Sequence, residues 1–271
     1  MRVRKKYIIG LAVTFNVMLF SGMALAGGGI FELGGEVFND RYREPNLGDN
    51  SVDSHANYGS LTGGYKYIFA NHLFAALEGR ASYGENDYKD KMPLGAIKVN
   101  NVPQYEGETR LLGGENILIS GNEILSPYIG IGERMYFDRG KGEAFGSYDR
   151  HINQTYLPIG VTFKYKAENH WTFSPNLELD RLIYGRVSTR LAEVPGFYNT
   201  TNNQHTGLGV RGEFMFGQQM NNYAWQFGPF FRYWDIKRSS VATTPSTIQG
   251  NHWIEPDNNR LQLGLALRFL F

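Results

Sequence analysis

The chain contains no cysteine, so whatever fold it adopts is held without disulfides. It has no useful excess of positive charge either. The formal net charge is +1, but four of its 27 basic residues, Arg2, Arg4, Lys5 and Lys6, fall in the first six positions. Beyond residue 26, 23 basic side chains face 26 acidic ones, a net of −3, and no basic surface remains that would attract nucleic acid. Past that point the sequence also lacks any apolar run near the roughly 18 residues that a spanning helix requires. If the remaining chain lives in a membrane, it must cross as a closed β-barrel, because only helices and closed barrels satisfy every backbone polar group in lipid.

The basic head is followed by the apolar run YIIGLAVTFNVMLFSGM, and then by Ala24 and Ala26 before a glycine triplet. That order of basic, apolar and small residues predicts a secretory signal peptide over residues 1–26, cleaved after Ala26. Residues 27–271 are then one domain.

Asparagine clusters followed by apolar or aromatic residues recur as NHLF at 71, NEIL at 122, NHWTF at 169 and NNYAWQF at 221, spaced 51, 47 and 52 residues apart. They divide residues 27–271 into five units of nearly equal length, each holding two alternating stretches around a longer polar segment. In the last unit Leu261, Leu263, Leu265, Leu267, Phe269 and Phe271 share one parity, against Gln262, Gly264, Ala266 and Arg268 on the other. A strand of that sequence has one face for hydrocarbon and one for water or polar packing. The same pattern sets Leu157, Ile159, Val161, Phe163 and Tyr165 against Tyr156, Gly160, Thr162 and Lys164. It sets Leu208, Val210, Phe214 and Phe216 against Arg211 and Glu213, and Trp225, Phe227, Phe231 and Tyr233 against Gln226, Gly228 and Arg232.

Ten strands are predicted, over 29–40, 57–70, 73–84, 104–114, 126–137, 154–167, 172–184, 206–217, 223–236 and 259–271. About 11 residues at about 3.3 Å each, tilted by about 45°, cover roughly 25 Å of bilayer. The four asparagine clusters become short turns on the periplasmic side. The long segments near 41–56, 85–103, 138–153, 185–205 and 237–258 become polar outer loops. The predicted fold is all-β: a transmembrane, antiparallel, up-and-down barrel of ten strands, with eight or twelve as alternatives. Glu133 shares the parity of Ile129 and Ile131, and Glu115 conflicts with Leu111 and Ile117, so a bulge or an earlier turn is expected there.

With its terminal Phe271 in LALRFLF, the chain resembles the small Gram-negative outer-membrane β-barrel proteins of the opacity and outer-membrane-protein-A type. The resemblance implies export to the outer membrane, contact with its lipid, and reading of the terminal aromatic residue, here Phe271, by the barrel assembly machinery. It implies an architecture rather than a function. A secreted soluble β-sandwich is the alternative for the same alternation, with the apolar parity facing a second sheet.

The opposite parity carries Glu78, Arg80, Glu106, Glu108, Arg110, Glu178, Asp180, Arg211, Glu213 and Arg232, together with Glu32, Glu36, Lys164, Lys166 and Arg268. About eight strands leave a lumen that side chains fill and about 16 leave an aqueous channel, so ten strands lie near the filled end. These residues are expected to form Arg–carboxylate networks that plug the lumen or, in the porin-like alternative, to line a narrow diffusion pore of mixed charge.

No enzyme constellation stands out. Ten-stranded omptin proteases activate water with an Asp pair and an Asp–His pair at the outer rim. Here Asp87, Asp90, Asp149 and His151 are available, without an Asp pair at a facing strand end. No catalytic residue, metal or cofactor is expected, and His72 and His170 belong to the repeated turns. The DNSVDS segment at 49–54 lacks a complete calcium-loop spacing. The remaining surface is the outer loops, whose Tyr88, Tyr148, Tyr198 and Trp253 are candidate anchors for an extracellular ligand of unknown identity. The expected function is that of a non-enzymatic, structural or adhesion-like protein at the cell surface.

Overall fold

A computed structural model describes residues 27–45, 52–92, 95–141, 148–194, 196–245 and 252–271, with backbone alone for 88–92 and 95–98. The expected signal peptide lies outside these residues. Ten strands form one closed sheet: β1 (Gly28–Glu44), β2 (Val52–Ile68), β3 (Leu73–Met92), β4 (Gly95–Glu115), β5 (Glu123–Arg139), β6 (Asp149–Lys166), β7 (Trp171–Thr189), β8 (Gly207–Gln219), β9 (Ala224–Ile236) and β10 (Asn258–Leu270). Each pairs antiparallel with its sequence neighbour, and β10 closes the ring on β1 from Glu32↔Leu270 to Arg43↔Asn259. The seam ends where Phe31 and Phe271 exchange backbone hydrogen bonds of 3.0 and 2.9 Å. Closure leaves no sheet edge, which is what a barrel in lipid requires.

Alternation decides which side chains face out. The row Leu263, Leu265, Leu267, Phe269 and Phe271 is exposed, whereas Gln262 and Ala266 are buried inside. Leu33, Val37, Leu61, Leu77, Leu111, Ile129, Ile131, Ile159, Leu177, Leu179, Phe214 and Phe227 continue the apolar exterior around the barrel. The belt is bordered by aromatic rings. On the short-turn side, Trp171 and Trp225 stand 5.7 Å apart, Phe173 and Phe216 4.9 Å, and Tyr67 and Phe69 5.0 Å. Towards the loops, Tyr83 and Tyr105 lie 5.3 Å apart. Along β3, from Leu73 to Tyr83, ten steps of about 3.3 Å tilted by about 45° span roughly 23 Å, close to the apolar height of an outer membrane.

Above the belt the outward side chains turn polar. Asn39 donates to Asn57 at 3.1 Å, Arg41 pairs with Asp53 at 2.9 Å and Tyr83 donates to Glu85 at 3.0 Å. The strands continue through this collar, so the outer connections are shorter than the sequence suggests. Residues 85–92 and 95–103 are a paired hairpin instead of a loop, with a register shift at Asn86/Tyr88 and Asn101 at φ 59°. Likewise 41–44 and 52–56 lie on β1 and β2, and 185–189 on β7. These polar residues read as loop because they face water while still completing the ladder.

Two irregularities differ from expectation. Glu133 needs no bulge: the β5–β6 register is unbroken past it, and it stands outward in the collar, accepting a 2.5 Å hydrogen bond from Thr155. Around Glu115 the ladder of β4 pauses and resumes in Ile117–Ser120, in unchanged register to Leu118. That register sets Glu115 opposite Pro127, which has no N–H to donate. The one extra residue lies later, between Leu118 and Ser120. A bulge that sequence reading missed sits on β7, where Ile183 and Tyr184 both face outward.

Two of the four repeated turns, at 71 and 169, share one geometry. The Phe69 amide donates to the Leu73 carbonyl at 2.8 Å and the Ala167 amide to that of Trp171 at 2.8 Å, with His72 at φ 67° and His170 at φ 66°. The matching NH dipeptides are a repeated left-handed turn, in which the adjacent Asn71 and Asn169 accept from Leu73 and Trp171.

Candidate functional site

The inward parity converges on the lumen, and its charges pair across it. On the short-turn side Arg268 holds Glu213 at 2.7 Å and Glu32 at 3.4 Å, while Arg110 holds Glu78 at 3.2 Å and also meets Glu178. At mid-height Arg211 on β8 reaches Glu108 on β4, four strands away, with contacts of 2.6 and 3.0 Å. The same guanidinium binds Asp180 at 2.6 Å and lies 3.3 Å from Glu178. Arg80 joins Glu106 at 2.5 Å and Glu108 at 3.2 Å, and Arg232 grips Glu36 at 2.6 and 3.0 Å. Tyr156 donates to Glu108 at 2.6 Å and Tyr128 to Glu178 at 2.7 Å. Bridges between nearly opposite strands obstruct the lumen, whereas pairs along one wall would line it.

A third tier lies nearer the loops. Arg260 binds Asp40 at 2.7 Å, Gln262 donates to Asp40 at 2.8 Å and to Glu106 at 2.9 Å, and Arg260 also donates to Gln104 at 3.2 Å. Gln104 further bonds Tyr58 and Asp138. Arg134 donates to Gln154 at 3.1 Å and stacks 4.1 Å from the centre of the Trp234 ring, and Arg260 stacks 4.0 Å from that of Tyr136. Buried charges are tolerated when paired and hydrogen-bonded, and planar guanidiniums satisfy carboxylates two bonds at a time.

All ten lumen residues predicted from the sequence lie in these contacts: Glu78, Arg80, Glu106, Glu108, Arg110, Glu178, Asp180, Arg211, Glu213 and Arg232. Sequence reading placed Gln262 and Glu106 inward but did not single out the rest of the third tier, although all of it except Asp138 lies within the predicted strands. Continued parity along 134, 136 and 138 was the available signal. The same reading put Tyr156 on the inward parity but missed the other interior aromatics. Phe38, Tyr58, Phe230 and Met215 form one buried cluster, and Tyr156, Leu182, Trp234 and Ile236 another. Inward glycines make room for them: any side chain at Gly160 would collide with the Tyr128 ring, and one at Gly132 with Tyr156.

At the outer rim the described parts of the 237–257 connection, 237–245 and 252–257, are tied to neighbouring strands. Asn202 donates to the Ser240 and Trp253 carbonyls, both at 2.9 Å, the Ser239 amide reaches Glu255 at 2.9 Å, and buried Glu255 pairs with Arg150. Trp253 is thereby half-buried in a small hairpin with Ala242. Tyr198 is exposed at 51% and Tyr148 is half-buried, each on a different connection, and the Tyr88 side chain lies outside the described residues.

The acidic and histidine residues near the rim do not converge either. Asp87 is exposed on β3 and accepts the Asn101 amide at 3.1 Å. Asp149 accepts the Lys141 amide at 3.1 Å on β6, and His151 packs 4.8 Å from Phe137 on the outer wall. The two sites are separated by β4 and β5, and the Asp90 side chain lies outside the described residues. Among the described residues no group of three or more His, Asp or Glu side chains could hold a metal ion.

Taken together, a closed sheet of ten antiparallel strands with an apolar, aromatic-bordered exterior and a polar interior defines an outer-membrane-type β-barrel. No family model and no curated relative matches the chain. Among solved structures it is similar to the outer membrane protease OmpT from Escherichia coli, with a TM-score of 0.60, 12% identity, and coverage of 93% of this chain and 99% of that one. Weaker likenesses are the translocator domain of the autotransporter NalP from Neisseria meningitidis (TM-score 0.41, 11% identity, covering 92% and 90% of the two chains) and the Pseudomonas putida toluene transporter TodX (0.35, 8%, 90% and 89%). The first of these likenesses shows a shared fold and nothing further.

Proposed function

We propose that the protein is a non-enzymatic integral barrel of the outer membrane whose lumen is plugged by its own side chains, acting in a structural or surface-interaction role through its outer connections. The observation that carries this reading is the set of bridges spanning the lumen, from Arg211 to Glu108 at mid-height and from Gln262 to Glu106 in the tier nearer the loops. A solute crossing the barrel would have to separate buried ion pairs whose partners are then left without compensation. The apolar exterior supports residence in lipid, with the short turns towards the periplasm and the polar collar outside. Assembly machinery reading Phe271 fits that orientation, since the residue ends the closing strand beside Phe31, its ring centroid 6.5 Å from that of Phe31. The separation of Asp87 from Asp149 and His151 argues against rim hydrolysis, despite the likeness in fold to a protease.

Planar-bilayer recording tests the plug. The purified barrel should give no stable, reproducible single-channel conductance. Steady conductance of one unit size would favour the narrow diffusion pore, and peptide cleavage by the purified protein would favour an enzyme.

A further inference from the structure

Below the plug, the short-turn half of the lumen opens into a cavity of about 290 Å³ whose ceiling includes Glu36, Arg80, Glu108, Arg211 and Arg232. The carboxylates near its mouth are already engaged. Glu78 is held by Arg110, and Glu32 and Glu213 by Arg268. Two lysines of the wall are not neutralised in this way. Lys66 reaches only the Asn116 side-chain oxygen at 3.4 Å and the Phe74 ring at 3.6 Å, and Lys164 makes no ion pair among the described residues. Lys166 follows on the same parity at the exposed rim.

Thr62, Ser174 and Arg110 belong to the same wall, although the Thr62 and Ser174 hydroxyls and the Arg110 Nε are themselves occluded and find no hydrogen-bond partner among the described residues. A concave pocket whose wall carries two lysines beyond its paired charges favours an anion. One wall is apolar: Phe74, Ala76 and Leu112 pack with Tyr128. We infer that this vestibule binds a small organic oxyanion, a carboxylate or phosphate on a compact apolar body, with Lys66 and Lys164 supplying the charge. The inference rests on the plugged-lumen reading only in that the pocket is blind and opens towards the periplasm.

The test is isothermal titration calorimetry of the full barrel in maltoside micelles at low ionic strength, with inorganic phosphate, butyrate and neutral butyramide as separate probes. Saturable binding of phosphate or butyrate is expected, and none of butyramide. Which anion binds tells phosphate from carboxylate recognition. Lys66→Met and Lys164→Met should each weaken binding by about tenfold, the loss of one charge-assisted contact. Lys164→Arg should retain it, and Lys237→Met, in the outer 237–257 connection, should leave it unchanged. A β-type circular dichroism spectrum identifies folded variants, and wild-type protein alone answers the first question. No saturable binding of either anion, or binding indifferent to both Lys→Met variants, overturns the inference. Conductance is measured separately, so failure of the plug and failure of the pocket are distinguishable.

Discussion

Replacing Arg211 with alanine should be among the most damaging single changes in the lumen. Its guanidinium contacts Glu108 at 2.6 and 3.0 Å, Asp180 at 2.6 Å, Glu178 at 3.3 Å and the Tyr156 hydroxyl at 2.9 Å, with only 6% of the side chain exposed. Without it Asp180 loses its one ion pair among the described residues, and Glu108 keeps only Arg80 and Tyr156. Breaking a buried pair by removing one partner costs about 3–5 kcal/mol, because the other charge stays buried without compensation. With a urea dependence of about 2–3 kcal/mol per molar, the unfolding midpoint in lipid vesicles should fall by roughly 1–2.5 M. Arg211→Lys keeps the charge but loses the planar fork, and should fall between the two. Tryptophan fluorescence across a urea series reads both, because Trp234 packs 5.3 Å from Tyr156. A cost below about 0.5 kcal/mol, typical of exposed pairs, would mean that the lumen is wet and the bridges are screened, refuting the plug.

Three further outcomes follow from other parts of the barrel. Leu263→Arg, on the exposed row of β10, should destabilise the barrel in vesicles by about 2–4 kcal/mol while costing far less in a detergent that lets the side chain reach water; equal effects would count against a lipid-facing row. His72→Gly should raise the urea midpoint by up to about 1 kcal/mol equivalent, and His72→Val should lower it, because φ is 67° there; the reverse order would contradict the left-handed turn. In the outer connection, burial raises the Glu193 pKa, but the Asp149 amide at 3.0 Å and Lys141 at 3.2 Å outweigh it and hold the carboxyl below its ordinary range. A depressed folded-state pKa means stability that is present above the unfolded value and lost as pH falls through the folded one. The protection of the Asp149 amide, its exchange rate divided into the intrinsic rate at the same pH, should therefore fall in acid, and Glu193→Gln should abolish that fall.

The barrel was legible because two simple periods coincide. The step of two along each strand separates Leu263 and Leu265 from Gln262, and the spacing of about fifty residues between asparagine clusters counts the hairpins. All ten strands could be found this way, but not their outer ends. There Arg43, His55 and Glu85 face water and look like loop, although their backbones remain paired. Composition alone cannot separate a solvated strand from a solvated loop. The lumen charges were legible by parity within the membrane band, since a polar residue opposite a lipid-facing one can only point inward. Arg134, Asp138 and Arg260 stand above or at the limit of that band, where parity no longer carries a polarity contrast. Interior aromatics such as Phe38 and Trp234 were hidden for a different reason: an aromatic ring suits the lipid boundary as well as a packed lumen. The inward glycines opposite them are the only sequence trace of the difference.

The central claim, that one face of every strand touches hydrocarbon while the other packs in a closed lumen, can be tested cleanly because the chain has no cysteine. Single cysteines carrying a nitroxide label would be placed one position at a time from Leu261 to Arg268, omitting Gly264, where any side chain would strike Phe38. Power-saturation electron spin resonance in lipid vesicles then reads contact with oxygen, which concentrates in lipid, against a water-soluble nickel complex. Labels at 261, 263, 265 and 267 should show high oxygen contact, alternating with low contact at 262, 266 and 268. Uniform access to the nickel complex, or the opposite alternation, would contradict the barrel's placement in a membrane.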